Sequence, residues 1–168
     1  MTTILQSLPF GPDVAEFVAG SRVIATKPFQ IVCWASVTLS LSDRPSSKRF
    51  PILIDTGHSG SFCLHDGQLR DWAGVEPSQL PLLRQRKING IACDVRDAVL
   101  WLYPNVRGQR KIDSAREIVR VELSDGIEVL PARINFPRIP LLGLKTIAHN
   151  HLRLIVNGDA GHVSLGHR

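Results

Sequence analysis

The sequence has 168 residues, of which 43% are hydrophobic and 21% are charged, which is the balance of one compact domain with a buried core. Its net charge of +5 comes from basic residues that alternate with acidic ones, so the charge gives no reason to expect a nucleic-acid partner. No segment approaches the ~18 apolar residues of a membrane-spanning helix, and the first residues lack a signal-peptide pattern, so we expect a cytoplasmic protein without a membrane partner.

The N-terminal part of the chain gives weak signals, and residues 1–27 are treated as an extension of uncertain structure. Within it, "GPDVAEFVAG" is compatible with one or two helical turns that begin near Asp13 and end at Gly20. From Pro28 onwards strand-like segments follow one another, so residues 28–168 form the predicted domain.

Strands dominate the middle of the chain. The segments "FQIVCWASVTLSL" and "FPILI" flank the loop "SDRPSSKR", and the second has the pattern of a strand buried on both faces. A short strand, "SFCL", precedes "HDGQLRDWAG", which predicts a turn or short helix that ends at Gly74. Two strands around Asn89-Gly90 predict a hairpin, because Asn-Gly suits the positive φ angles of a type I′ turn.

The C-terminal part of the chain predicts two further hairpins. The segments "REIVRVEL" and "IEVLPARINF" flank the turn "SDG", and "LRLIV" and "HVSLG" flank "NGDAG". Between these hairpins, "GLKTIAHN" predicts one short helix. The sum is a mainly β single domain with one short helix near its end.

The cysteines and histidines predict neither a metal site nor a cofactor. Cys33, Cys63 and Cys93 form no Cys-x-x-Cys pair, so we expect reduced thiols. His149 and His151 stand two residues apart, and residues at that spacing do not share a helix face. We therefore expect no bound metal and no cofactor.

A carboxylate follows the apolar run "PILI", where burial without a partner would cost free energy. This residue, Asp55, begins the triplet Asp55-Thr56-Gly57. The triplet alone is a weak signal, because a strand that ends in an Asx turn explains it equally well.

Two motifs together resemble those of the retropepsin-like aspartic proteases. The first is "PILIDTG", and the second is "IPLLGLKTIAHNHLRLIV", in which Leu141-Leu142-Gly143 opens the late helix. Between them "RQRKINGIACDV" lies where that family has its flap hairpin, and "NGDAGHVSLG" is similar to its terminal hairpin. The resemblance covers about residues 28–166 and implies a retropepsin-like acid-protease β-barrel with a short helix after the Leu-Leu-Gly motif.

The resemblance also implies an activity and an assembly. It implies an aspartic endopeptidase that hydrolyses peptide bonds with two aspartates sharing a water and one proton. Because this chain has one such triplet, the resemblance implies a homodimer in which each subunit contributes Asp55. Thr56 would bind the partner's backbone, Gly57 would offer its carbonyl to a peptide or protein substrate, and the flap tip would consist of Asn89, Gly90 and Ile91. The alternative is a catalytically weak or inactive module of the same fold that dimerises or binds peptides.

His58 departs from the family pattern, in which a small Ala or Ser follows the triplet. An imidazole at this position either favours the ionised form of the aspartate pair or points to solvent, and the sequence leaves both alternatives open. The overlapping "GHSGS" misses the nucleophile elbow Gly-x-Ser-x-Gly by its last residue. Since "SFCL" is poor helix material and an elbow leads into a helix, the sequence disfavours a serine hydrolase.

Overall fold

The computed structural model describes residues 2–45 and 48–167 and is mainly β. Its strands are β1 (Thr3–Pro9), β2 (Glu16–Ala19), β3 (Arg22–Ala25), β4 (Ile31–Thr38), β5 (Phe50–Asp55), β6 (Phe62–His65), β7 (Leu82–Ile88), β8 (Ile91–Arg96), β9 (Val99–Tyr103), β10 (Val119–Val121), β11 (Ile127–Leu130), β12 (Leu141–Gly143), β13 (Leu152–Asn157) and β14 (His162–His167). Its helices are α1 (Asp66–Gln68), which continues into a π-helical turn (Leu69–Ala73), and α2 (Leu144–His149). Single 3₁₀ turns occupy Pro77–Gln79 and Ala132–Ile134.

A nine-stranded mixed sheet forms the body of the molecule, in the order β10-β9-β4-β5-β12-β6-β11-β8-β7. Two of its neighbouring pairs, β5 with β12 and β6 with β11, are parallel. The remaining strands form a three-stranded sheet, β1-β14-β13, and the hairpin β2-β3.

The predicted β-barrel is wrong in one respect, because no sheet in residues 2–45 and 48–167 closes on itself. Strand β10 pairs with β9 alone and β7 with β8 alone, so the large sheet keeps two open edges. The strands at the two ends of the described chain do not close it, since β1 pairs with β14 in the separate sheet.

The large sheet is nevertheless strongly curved. The chain passes from Val121 at the end of β10 to Ile127 at the start of β11, a six-residue step that spans at most about 21 Å. In a flat sheet, the six strand spacings from β10 to β11 would separate them by about 29 Å. The sheet must therefore bend to bring these strands closer.

Strand β5 is a largely buried part of that sheet, as its apolar run predicts. Phe50, Ile52 and Ile54 are buried on one face, and Pro51 is buried on the other. A strand between two neighbours with both faces covered takes a continuous apolar run because neither face meets water.

The N-terminal segment is integrated into the fold by strands. Ile4 and Leu5 are buried in the main core, and β1 pairs with β14. The helical turns considered for residues 11–20 are absent from the described structure, where β2 and β3 form a hairpin with Gly20 at its turn (φ +58°). The physical reason is the alternation in β2, where Phe17 and Ala19 are buried and Glu16 and Val18 are exposed, a period of two rather than 3.6.

Most of the other predicted elements are confirmed. Strands β4, β5 and β6, helix α2 and the β13-β14 hairpin lie where the sequence predicts them. Gly74 ends the helical turn with a left-handed conformation, and both Asn89 and Gly90 have positive φ between β7 and β8. Of the predicted loop "SDRPSSKR", Ser46 and Ser47 lie outside the described residues.

The hairpin predicted around "SDG" is wrong. A turn does form there, with the Gly126 N–H bonded to the Leu123 carbonyl, but β10 and β11 do not pair with each other. Strand β10 joins the sheet edge beside β9, and β11 joins β6 and β8. The local turn determines only the direction of the chain. The strands that pair with β11 are determined by the burial of both its faces.

No helix in residues 2–45 and 48–167 has the length and apolar character needed to cross a membrane.

Asn105 ties the N-terminal strand to the loop after β9. Its side chain is 3% exposed. The amide oxygen accepts a hydrogen bond from the Gln6 N–H, and the amide nitrogen donates to the carbonyls of Gln6, Val106 and Gln109.

We expect Asn105→Ala to lower the free energy of unfolding by about 3 kcal/mol, because it strands these buried backbone groups. Urea unfolding at one protein concentration measures the change. Asn157→Ala is the control, since Asn157 is exposed and its side chain accepts one bond, from Ala160, so it should cost less than about 1 kcal/mol. Equal losses would contradict the role given to Asn105.

Candidate active site

The two sequence motifs meet on neighbouring strands. Asp55 is the last residue of β5, and the chain then turns back through Thr56 and Gly57 towards β6. Strand β12 lies between β5 and β6, parallel to the first and antiparallel to the second. Its last residue, Gly143, is the register partner of Asp55. The structure therefore brings Asp55-Thr56-Gly57 and Leu141-Leu142-Gly143 together.

The loop after β5 holds the Asp55 carboxylate. The Gly57 N–H donates to Asp55 Oδ1 at 2.9 Å, and the His58 N–H donates to the Asp55 carbonyl at 3.2 Å. This is an Asx turn, in which an Asp side chain accepts a hydrogen bond from the backbone N–H two residues later. Asp55 is half-buried, while Thr56 and Gly57 are exposed. Within the described part of the chain, Asp55 forms no ion pair with a basic side chain.

Gly143 is where the two motifs touch most closely. Its N–H donates to the Ser61 carbonyl at 3.0 Å. A Cβ added at Gly143 would overlap the carbonyl oxygen of Gly60 and lie 2.8 Å from that of His58. Both obstacles are backbone atoms, so only glycine allows this approach. The Thr146 hydroxyl, from the first turn of α2, donates to the same Ser61 carbonyl at 2.8 Å and secures the helix to the loop.

A cleft of about 410 Å³ opens beside Asp55. It combines apolar walls with two basic side chains and a glutamine at its rim. The other lining residues are Lys27, Gln30, Leu53, Phe136, Pro137, Arg138, Ile139 and Leu141. Since Leu53 and Leu141 belong to β5 and β12, the strand pair that positions Asp55 also builds one wall of the cleft.

The β7-β8 hairpin shares an apolar cluster with this wall. Asn89 and Gly90 are exposed at its tip, and Ile91 begins the returning strand. Ile88 and Ile91 pack against a small apolar cluster of Cys63, Cys93, Leu130 and Leu141, which Leu53 also contacts. The predicted flap tip is thus linked by apolar contacts to the cleft wall, while its three tip residues do not line the cleft itself.

His58 does not point to solvent, which corrects one of the two alternatives for this residue. Its side chain is 13% exposed, and its Nε2 lies 3.3 Å from Oε2 of Glu128. Arg86 on β7 binds the other carboxylate oxygen of Glu128 at 2.7 Å. Sequence reasoning missed Glu128 and Arg86, although a glutamate inside the apolar strand "IEVL" is the same kind of signal as Asp55 after "PILI".

The three cysteines are free, buried thiols. Burial raises the pKa of Cys33 to about 12 and raises the pKa of Cys93 as well. Burial also raises the pKa of Cys63 far above its usual range, and the neighbouring Glu128 carboxylate raises it further. All three are therefore protonated at neutral pH and are poor nucleophiles as they stand.

The remaining candidates from the sequence do not assemble into a site. Ser59 is exposed in the loop and Ser61 is buried, and the chain continues into strand β6, whereas a nucleophile elbow requires a helix. His149 lies 3.7 Å from the exposed Glu122, and His151 is exposed after the end of α2. Neither histidine contacts Asp55 in the described structure.

Comparison of the chain with protein-family models, with curated proteins and with solved structures found no match.

We expect Gly143→Ala to lower the free energy of unfolding by about 3 kcal/mol, the upper end for overpacking, because the new Cβ displaces backbone rather than a side chain. Chemical denaturation of the two proteins side by side measures the difference.

The matched control is Gly158→Ala. A Cβ at Gly158 meets no atom within 4 Å, so this substitution should leave stability unchanged or raise it slightly. If both substitutions have the same small effect, the close contact between β12 and the 58–60 loop does not exist in solution.

Proposed function

We propose that the protein is an aspartic endopeptidase of retropepsin-like fold, active as a homodimer with one Asp55 from each subunit. The observation that carries this proposal is the pairing of β12 between β5 and β6, which places Asp55 beside Gly143 at the edge of a cleft. Residues from the two resembling motifs thereby lie next to each other, which supports the proposal.

The environment of Asp55 is compatible with a role in catalysis. A carboxylate whose only purpose was to end a strand could be fully exposed or paired with a cation. Asp55 is instead half-buried, has one oxygen bonded by its own loop, and makes no ion pair in the described residues. This leaves the second oxygen, Oδ2, available to a water molecule or a partner carboxyl group.

A homodimer supplies the second carboxylate that the chemistry needs. Two aspartates in contact share one proton, because two like charges so close cannot both ionise freely. The exposed Thr56 and Gly57 would lie at the two-fold axis, where Thr56 is free to bind the partner's backbone.

The reaction we propose needs a water molecule and this one shared proton. The ionised carboxylate removes a proton from the water as the water oxygen attacks the carbonyl carbon of the peptide bond. The protonated carboxyl donates its proton to the carbonyl oxygen. The tetrahedral intermediate then loses its C–N bond, the leaving nitrogen receives the proton taken from the water, and a hydroxyl proton of the intermediate returns to the second carboxylate.

The substrate class that suits the cleft is an extended polypeptide. The walls around Leu53, Ile139 and Leu141 suit an apolar side chain, and Lys27 and Arg138 at the rim suit a carboxylate beside it. Strand β7 is an edge strand whose residues are mostly exposed, so it has backbone groups free to pair with an extended peptide.

The test compares cleavage of an unfolded protein by the wild type, Asp55→Asn and Asp113→Asn from acid to neutral pH. Asp113 is a matched control, because its Oδ1 also accepts the N–H two residues later, from Ala115, and it is likewise half-buried. We expect Asp55→Asn to lose at least about 100-fold in rate, the scale of general acid–base catalysis, and Asp113→Asn to keep full activity.

Equal cleavage by the wild type and Asp55→Asn, or cleavage by neither while both are folded, would reject the peptidase. Sedimentation analysis adds a second criterion, since a strictly monomeric protein at high concentration lacks the second carboxylate. A folded dimer that binds the unfolded protein without cleaving it would identify the alternative, a non-catalytic peptide-binding module.

A further inference from the structure

Three potential metal ligands converge behind the Asp55 loop. Cys63 on β6 and Glu128 on β11 are register partners on neighbouring parallel strands, so their side chains leave the same face of the sheet. His58 reaches them from the loop. The imidazole nitrogen, the thiol sulfur and a carboxylate oxygen all lie within 4.8 Å of one another.

Two atoms of this group are buried without a hydrogen bond. His58 Nε2 and Glu128 Oε2 lie 3.3 Å apart, yet neither has a hydrogen-bond partner among the described residues, and each exposes less than 1 Å². Glu128 as a whole is 2% exposed. Unsatisfied buried polar atoms are rare in proteins, and a bound ion is one of the few arrangements that explains them.

The separation of these two atoms matches the edge of a tetrahedral metal site. Zinc lies 2.0–2.1 Å from an imidazole nitrogen and 2.0–2.2 Å from a carboxylate oxygen, so at the tetrahedral angle the two ligand atoms are about 3.4 Å apart. The observed distance of 3.3 Å agrees with this value. A direct hydrogen bond between the same atoms would require an alignment that the side chains do not have.

Glycine 60 leaves room at the same place. A Cβ at Gly60 would lie 2.6 and 2.8 Å from the two carboxylate oxygens of Glu128 and 2.8 Å from His58 Nε2. The backbone of Gly60 has no positive φ that would call for glycine on conformational grounds. Glycine at this position therefore leaves the space between these ligands free of a side chain.

Arg86 orients the carboxylate. Its guanidinium binds Oε1 at 2.7 Å, so Oε2 is the oxygen directed at His58. Ligating carboxylates are commonly held in this way by a second partner that fixes their direction. A dication would also provide the positive charge that lets the buried Cys63 thiol lose its proton and bind as a thiolate.

We propose that His58, Cys63 and Glu128 bind a divalent transition-metal ion, and that zinc is the ion this donor set suits. Nitrogen, sulfur and oxygen donors together favour zinc, whereas magnesium and calcium take oxygen ligands. The ion would join the Asp55 loop to β6 and β11, and with three protein ligands one tetrahedral position would be left for water or another group. This replaces the expectation of no metal, and it does not depend on the proposed peptidase activity.

The test uses the full chain, stripped of metal by a chelator and titrated with Co²⁺. We expect one Co²⁺ per chain, with a thiolate-to-cobalt charge-transfer band in the near ultraviolet and the visible bands of a tetrahedral site, both removed by adding Zn²⁺. Cys63→Ser should abolish the charge-transfer band, and His58→Ala should weaken Co²⁺ binding at least tenfold.

The other two cysteines provide matched controls. Cys33→Ser and Cys93→Ser should each keep the charge-transfer band, as should the double variant, in which Cys63 is the one thiol left. Cys93 is the closer control, since it packs in the same small apolar cluster as Cys63. The double variant assigns the band to Cys63 even if Cys63→Ser fails to fold.

Two outcomes would overturn the metal site. One is a folded wild-type chain that gives no charge-transfer band at saturating Co²⁺. The other is an unchanged band in folded Cys63→Ser. Asp55→Asn should bind Co²⁺ like the wild type, so loss of peptidase activity and loss of the metal are distinguishable, and each proposal can fail without the other.

Discussion

The insertion of β12 between β5 and β6 is the constraint on which the rest of the structure depends. It requires Gly143 to approach the backbone of residues 58–60 more closely than any side chain permits. With that approach, Asp55 lies at the end of a strand that is paired on both sides, and its loop is bonded to β12 and to α2. Without it, the strands flanking Asp55-Thr56-Gly57 would have no common neighbour, and the cleft wall of Leu53 and Leu141 would not form.

Two carboxylates stand in largely apolar strands, and the fold treats them differently. Asp55 is at a strand end, where its own loop supplies one N–H and partial exposure supplies water. Glu128 is inside β11, buried, and bonded to Arg86 from β7. A buried carboxylate needs such a partner, because desolvation of an isolated charge costs several kcal/mol or more. The position along the strand thus separates a partly exposed carboxylate from a buried one that is bonded to β7.

The secondary-structure elements were predicted well from local signals, because each element depends mainly on residues that are close in sequence. The apolar run of β5, the Asn89-Gly90 turn and the C-terminal hairpin are all decided within a few residues. The miss in β2 had no such signal, because Phe17, Val18 and Ala19 form an unbroken apolar run although Val18 is exposed. The resemblance singled out the two motifs at Asp55 and Gly143, but their pairing on neighbouring strands was not predicted. The contacts of His58 were not accessible, because Glu128 and Arg86 come from distant segments that no spacing relates.

The incorrectly predicted hairpin around "SDG" shows why the contacts of His58, Glu128 and Arg86 could not be predicted from the sequence. Had β10 and β11 paired across their turn, Glu128 would lie at the β10 edge and would not be the neighbour of Cys63. Instead the curvature of the sheet lets six residues carry the chain from that edge to the gap between β6 and β8. There Glu128 meets Cys63 in register, with Arg86 on the strand beyond and His58 on the loop before. The cluster behind Asp55 is therefore a product of sheet curvature, a property of the whole fold that no single segment encodes.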